Sequence, residues 1–362
     1  MKILHVAPLN VAGVPYSMML MQRQFGHSAR LVSLHTNAQT FPEDICLHLP
    51  LPRNAVAGVW RRHKRLSQPP STASSSTAQK PLQHGPRNMF EALYFRYDDH
   101  RREKTVYRCL DQYGFDDVDV IHYDGGLDFF RDARVARRWK REGKKIVCHY
   151  MGSDLRVRGV DPIMDELSDL NLTNESDHLH LHPNIHYLFI PFDHARFTPV
   201  PSSRSTLRII HSPTNRAFKG THLILPVIEK LKGLRPIEFV LAENMPHEEL
   251  LALKATCDLA IEQIGNFGGT GYGVNSLETM ALGIPTITEM TPDYVAWIPD
   301  NPFVLATRET LLDRLLELID NPGLRAHLSA HGRTWVAHHH SYESVHAELT
   351  RLYHDHGIVS GV

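Results

Sequence analysis

Little in this chain of 362 residues points to an extracellular, membrane-spanning or nucleic-acid-binding protein. Its four cysteines, Cys46, Cys109, Cys148 and Cys257, are scattered and form no CxxC pair, which argues against a disulfide framework or a zinc knuckle. No apolar run approaches the ~18 residues that a membrane-crossing helix needs. Net charge is nearly absent: 39 Lys and Arg stand against 40 Asp and Glu. No global basicity therefore calls for nucleic acid. Aromatic residues make up 8% and apolar residues 42%, a composition that supports a folded globular chain. Histidine is the exception to this ordinariness. There are 25, more than the 22 glycines, so acid would turn a net charge of −1 strongly positive.

At about 150 residues per domain, the length suggests two domains. Residues 1–190 are mildly basic and the remainder mildly acidic. The opening MKILHVAPLNVAG reads as a β-strand entering a loop, because His5, Pro8 and Asn10 interrupt any signal-like run. A helix over residues 17–25 and a strand over 29–34 complete a βαβ unit. Apolar strands follow at 118–122, 145–149 and 167–173. Residues 191–205 carry three prolines and little periodicity, as a linker would. Beyond them strands are expected at 207–211, 238–242, 259–262 and 286–288. Helices are expected at 221–231, 247–255, 274–282, 308–319, 322–337 and 342–356. Alternating β and α elements in both halves imply an α/β fold of two Rossmann-like domains facing a cleft. We place the domains at 1–195 and 196–340, with 341–362 returning to the first.

Two histidine groups are set aside. The alternating His178, His180 and His182 resemble one strand face but precede Pro183 and lack a fourth metal ligand. Three consecutive histidines, His338 to His340, cannot share a helix face. Residues 68–88, rich in Ser, Thr, Pro and Gln, read as a mobile loop over an acceptor. Two basic patches, residues 60–65 and 131–145, could rest on anionic lipid.

Two loops carry the chemistry. GGTGYGVNSLE (268–278) places glycines before a helix whose free N–H groups form an anion site, and Glu278 follows where a carboxylate can bind hydroxyls. HSPTNRAFKGT (211–221) follows a strand and sets Arg216 and Lys219 where they could clamp a diphosphate and stabilise its departure.

The order of these motifs resembles the retaining family 4 type of GT-B glycosyltransferases. The resemblance rests on NRAFKGT, then GYGVNSLETMALGIP, together with MGSDLR (151–156), PFDHARFTP (191–199) and the C-terminal NP…YE…LY pattern. It implies a nucleotide-sugar donor, UDP-linked by default, and a glycan, lipid-linked or protein acceptor. It also implies no metal or other cofactor. Arg216 and Lys219 would hold the diphosphate. Asn215, Gly271, Tyr272 and Gly273 would line the donor, Glu278 would bind ribose, and Gly13 would border the phosphates. Asp154 and Ser153 would face sugar or acceptor. The sequence departs from the family at two positions. Thr270 stands where the first of the family's paired glutamates belongs, and Met151 stands where a histidine usually precedes G-S-D. His149 lies on the same strand face and is the candidate substitute. The departures keep a non-catalytic sugar-nucleotide-binding or glycan-binding subunit open as an alternative. The implied setting is the cytoplasm, at the inner face of the plasma membrane, in bacterial surface glycan assembly.

Overall fold

The computed structural model describes residues 1–37, 39–50, 81–86, 88–199, 204, 206–269 and 271–359. Two parallel sheets organise them. The first has strand order β3-β2-β1-β4-β5-β6-β7. It is built from β1 (Lys2–Ala7), β2 (Ser28–Ser33), β3 (Ile45–Cys46), β4 (Val120–Asp124), β5 (Lys145–Tyr150), β6 (Leu170–Thr173) and β7 (His186–Tyr187). β1 pairs with β2 on one side and β4 on the other, so the strand order reverses there. All but the first residue of β1 are buried, as expected of a central parallel strand covered on both faces.

The second sheet runs β12-β11-β10-β8-β9. Its strands are β8 (Leu207–His211), β9 (Ile237–Leu241), β10 (Leu259–Gln263), β11 (Thr286–Thr288) and β12 (Val304–Leu305). Here the reversal lies between β8 and β10. Open parallel sheets bind ligands beyond the carboxyl ends of their strands at such reversals. The loops after β1, β4, β8 and β10 are therefore where a site belongs.

The last helix, Tyr342–Asp355, does not stay with the second sheet. Its Val345, Leu349, Leu352 and Tyr353 join Met18, Leu31, Val120 and Val147 in one cluster on the first. The chain thus crosses between lobes twice. The crossings are tied together where Phe192 N donates to His340 O at 2.7 Å and Ile190 O lies 2.7 Å from His340 Nδ1.

The long helix Met89–Tyr113 was not foreseen. Its buried face includes Asp99 and Arg102 beside Val106, Cys109 and Leu110, so hydrophobic periodicity alone conceals it. Asn88 accepts from Glu91 N at 2.9 Å at its start, and Gly114, at φ +63°, ends it. The Asn88…Glu91 spacing was the readable signal.

Two histidine and charge readings change. Residues His178–Leu181 form a helical turn, not a strand. His178 Nδ1 meets the Thr173 hydroxyl at 2.8 Å and His182 Nε2 meets Asp165 at 2.9 Å, which separates the rings. Much of the basic run 131–145 is paired with acids of the same lobe. Arg131 pairs with Asp98 and Asp99, Arg134 with Glu103 and Asp132, Arg138 with Asp116, and Lys140 with Asp169. The other patch, 60–65, lies outside the described residues, as does most of the 68–88 loop. Among the described residues no helix is long and apolar enough to cross a membrane.

Candidate functional site

β8 ends at the buried His211, whose ring spans Ile261 O at 2.8 Å and the Thr221 hydroxyl at 2.9 Å. This ring fixes both ends of the following loop. Within the loop, the Asn215 side chain accepts from Ala217 N at 2.9 Å and Phe218 N at 3.1 Å. Asn215 therefore shapes the turn through its side-chain oxygen. Gly220 sits at φ +64°, and a Cβ there would lie 1.6 Å from Ile264 O. Only glycine lets the β8 and β10 loops approach this closely. Gly220→Ala is expected to cost about 2 kcal/mol of unfolding free energy, measurable in urea, and to weaken any ligand held by Lys219. An unchanged midpoint would show that the approach is dispensable.

Lys219 is the cation that reaches the sheet reversal. Its ammonium pairs with Glu262 and donates to Gln263 Oε1 at 3.3 Å. Glu262 is buried on β10. It also accepts from Asn275 and from Ser276 Oγ, the latter at 3.0 Å, at the start of helix Val274–Ala281. Burial would raise its carboxyl, yet Lys219 and these donors hold it below the usual range. One carboxylate thus ties the Lys219 loop to the helix N-terminus. Arg216 points elsewhere: more than half exposed, it forms a two-pronged pair with Glu243 at 2.8 and 2.5 Å.

The glycine loop is gripped from below by Gln263, whose Nε2 donates to Gly271 O at 3.1 Å and Glu289 O at 3.2 Å. Gly271 is required because its backbone lies against the Tyr294 ring, where a Cβ would sit 2.4 Å away. Gly273 precedes the helix in extended conformation with open space beside it. Tyr272 sends its side chain into the protein interior. Its ring packs with Phe303, Trp335 and Tyr294 in the core, and its hydroxyl meets His340 Nε2 at 2.9 Å. Thr270 lies outside the described residues.

Glu278 lies on helix Val274–Ala281, buried and doubly held. His247 Nε2 is 2.6 Å from Oε1, and the completely buried Lys254 donates to Oε2. Burial alone would raise this carboxyl too, but Lys254 and His247 hold it below its usual range. His247 and Lys254 open and close the helix His247–Lys254. Seven residues apart, they share one face two turns down. That spacing was in the sequence, but its partner is distant in the chain.

Glu278 and Gly13 line one cavity of about 470 Å³ between the lobes, with Phe41, His247, Val274 and Tyr342 among the other walls. Gly13, at φ +72°, starts helix Val14–Gln24, and a Cβ there would stand 3.0 Å from the Phe41 ring. Arg216 and Lys219 are not part of this cavity wall.

In the first lobe Asp154 follows β5 in a short helical turn. Its Oδ2 accepts from Met151 N at 3.0 Å and its Oδ1 pairs with Arg158 at 3.1 Å. Ser153 is exposed beside it. His149 is fully buried, 3.6 Å from Asp124, and is not among the residues that line the cavity between the lobes. Asp124, itself buried, lies between His149 and His5, the latter 3.5 Å away. Burial opposes its ionisation, but the two rings pull it down to about 2. Sequence reading missed Asp124, His247, Lys254, Glu262, Asn275 and Phe41. Among the described residues, no group of three or more His, Cys, Asp or Glu is placed to hold a metal ion.

Two doubly wound sheets facing a cleft, with the last helix returning to the first lobe, define the GT-B glycosyltransferase fold. Solved structures share it over their whole length at low identity. Sucrose-phosphate synthase from Thermosynechococcus elongatus superposes with a TM-score of 0.60 at 12% identity, covering 99% of this chain and 100% of its own. The catalytic domain of starch synthase IV from Arabidopsis thaliana, bound to ADP and acarbose, gives 0.60 at 12%, covering 98% and 99%. Anabaena Alr3699/HepE in complex with UDP-glucose gives 0.54 at 11%, covering 97% and 98%. No family profile matches the chain, and no curated protein sequence does.

Proposed function

We propose that the protein is a retaining glycosyltransferase that moves a sugar from a nucleoside-diphosphate donor to a glycan or lipid-linked acceptor, without a metal ion. The family resemblance favours surface glycan assembly as the setting and UDP as the donor nucleotide. The observation that carries the reading is the convergence at the second sheet's reversal. Glu262 ties Lys219 to the first turn of helix Val274–Ala281, the helix that one turn later carries Glu278 to the cavity between the lobes.

In such a transfer the glycosidic C–O bond breaks early and negative charge builds on the leaving diphosphate. An ammonium and helix N–H groups aimed at that charge stabilise the transition state more than the ground state. Lys219 supplies the ammonium once a phosphate competes with Glu262 for it. Asp154, in the first lobe, is the acidic group offered to the sugar or acceptor. The leaving phosphate itself takes the acceptor's proton, which needs no second protein carboxylate.

The test is thermal unfolding of wild type and Glu278→Ala with UDP, GDP, dTDP, CDP and ADP in turn. A nucleotide at 100 times its dissociation constant adds about 2.7 kcal/mol. One nucleotide should stabilise wild type and fail on Glu278→Ala. Donor hydrolysis should then disappear in Lys219→Ala. One observation favours the alternative of a non-catalytic binding subunit: Arg216, Lys219 and Glu278 are each neutralised within the chain. Nucleotide binding with no hydrolysis and no transfer across a broad acceptor panel would decide for it.

A further inference from the structure

Both oxygens of the Glu278 carboxylate, the group read as the ribose anchor, already receive hydrogen bonds from this chain. The two donors are unequal. Lys254 closes its helix with no exposure at all and meets Oε2 from below. Removing it would strand a buried carboxylate. His247 opens the same helix, is 17% exposed, and stands on the cavity wall, 2.6 Å from Oε1. Its ring also touches the other lobe: the Phe41 ring lies 4.4 Å away, tilted by 40°. Phe41 in turn is the ring that a Cβ on Gly13 would meet.

We propose that His247 is a gate on the donor site, and that a nucleoside diphosphate enters by exchanging a ribose hydroxyl for the His247 ring at Glu278 Oε1. The proposal rests on the donor reading above. Lys254 remains in place throughout as the fixed counterion that keeps Glu278 ionised. Each carboxylate oxygen accepts two hydrogen bonds, so both ribose hydroxyls have acceptors once the ring has left. The exchange conserves hydrogen bonds and charge. It therefore costs little at Glu278 itself, and its main expense is the lost contact with Phe41.

That contact gives the gate a second consequence. His247 binds the donor-lobe carboxylate with its nitrogen and the first lobe with its ring face. Displacing it releases Phe41 and, with it, the packing over the Gly13 loop. Nucleotide binding in one lobe thereby loosens a contact made by the other. An empty donor site is held shut by the same residue that bridges the cleft.

Calorimetric titration of UDP into wild type, His247→Ala, Phe41→Ala and Glu278→Ala tests the gate. His247→Ala is expected to bind about three- to tenfold more tightly than wild type, the worth of one competing hydrogen bond. Phe41→Ala should move the same way by about twofold. Binding by His247→Ala where wild type shows none would support the gate most strongly. Amide hydrogen exchange on wild type supplies a readout without substitution. UDP should speed exchange in the first turn of helix His247–Lys254 and near Phe41, while slowing it in helix Val274–Ala281. If wild type binds UDP through Glu278 and His247→Ala binds equally or more weakly, the gate is refuted and the donor site stands. If neither wild type nor His247→Ala binds UDP, GDP, dTDP, CDP or ADP, the donor reading fails and takes the gate with it.

Discussion

Acidification from about pH 6.5 to 5 is expected to remove roughly 3 kcal/mol of unfolding free energy per pH unit, a large share of the 5–15 kcal/mol typical of a folded protein. The cause is histidine held neutral in the interior. His340 is completely buried between the Tyr272 hydroxyl and Ile190 O, and burial pushes it down to about 3. Burial likewise lowers His178 to about 4, and it carries His122 well below the ordinary value. In the unfolded chain these rings take up protons near pH 6.5. In the folded chain they do so only at much lower pH, so every proton bound in this window favours unfolding. Their contribution to stability is complete above about pH 6.5 and is lost as pH falls. Asp128 works in the opposite sense. Burial raises it to about 7, so the folded state holds its proton where the unfolded state has lost it. Subtracting one proton for Asp128 leaves an excess of about two on the unfolded side, each worth about 1.4 kcal/mol per pH unit. Urea unfolding at several pH values between 7 and 5 measures this directly. A flat profile would mean that these histidines are hydrated enough to titrate in the native state.

Lys254→Met should be the most damaging single change in the second lobe. The ammonium is fully buried and pairs with Glu278, so its loss leaves a carboxylate in the interior with the His247 ring as its remaining partner among the described side chains. Breaking a buried ion pair from one side typically costs about 3–5 kcal/mol. Removing both members is different in kind. Lys254→Met combined with Glu278→Leu leaves apolar groups of similar bulk and should recover most of the lost stability. On the proposed role of Glu278 as the ribose anchor, the double variant should still fail to bind a nucleotide. Chemical unfolding and calorimetry on the single and double variants separate the two effects. A stable Lys254→Met would show that Glu278 can discharge by taking a proton. A double variant that binds UDP normally would remove Glu278 from the donor site.

The second lobe was the more legible half. β8 at 207–211 and β11 at 286–288 fall where apolar runs between turn residues predict them, because each is a short buried strand with polar loops on both sides. β3, β7 and β12 escaped notice because two-residue strands carry no periodicity. Helix Met89–Tyr113 hid its inner face behind Asp99 and Arg102, which enter the interior as members of ion pairs and hydrogen bonds with Arg131, Asp98 and Phe129 O. The site divides in the same way. Local signals marked the glycine loop, Lys219 and Glu278. Which side chains satisfy them depends on contacts between distant segments: Glu262 on Lys219, and His247 and Lys254 on Glu278. Tyr272, placed along the donor by the family resemblance, packs its ring among Phe303, Trp335 and His340, which leaves its backbone as the part that can line the glycine loop.

The return of the last helix to the first lobe also sets an order of events during synthesis. Met18, Leu31, Val120 and Val147 emerge from the ribosome early, but the residues that cover them, Val345, Leu349, Leu352 and Tyr353, come near the end of translation. The first sheet must therefore wait with part of its apolar face open while the whole second lobe is made. The second lobe has no such delay: from β8 to β12 its sheet is continuous in sequence and can close behind the elongating chain. Chains truncated before Tyr342 should carry a finished second lobe joined to a sticky, incomplete partner, which is the form a holding chaperone would recognise.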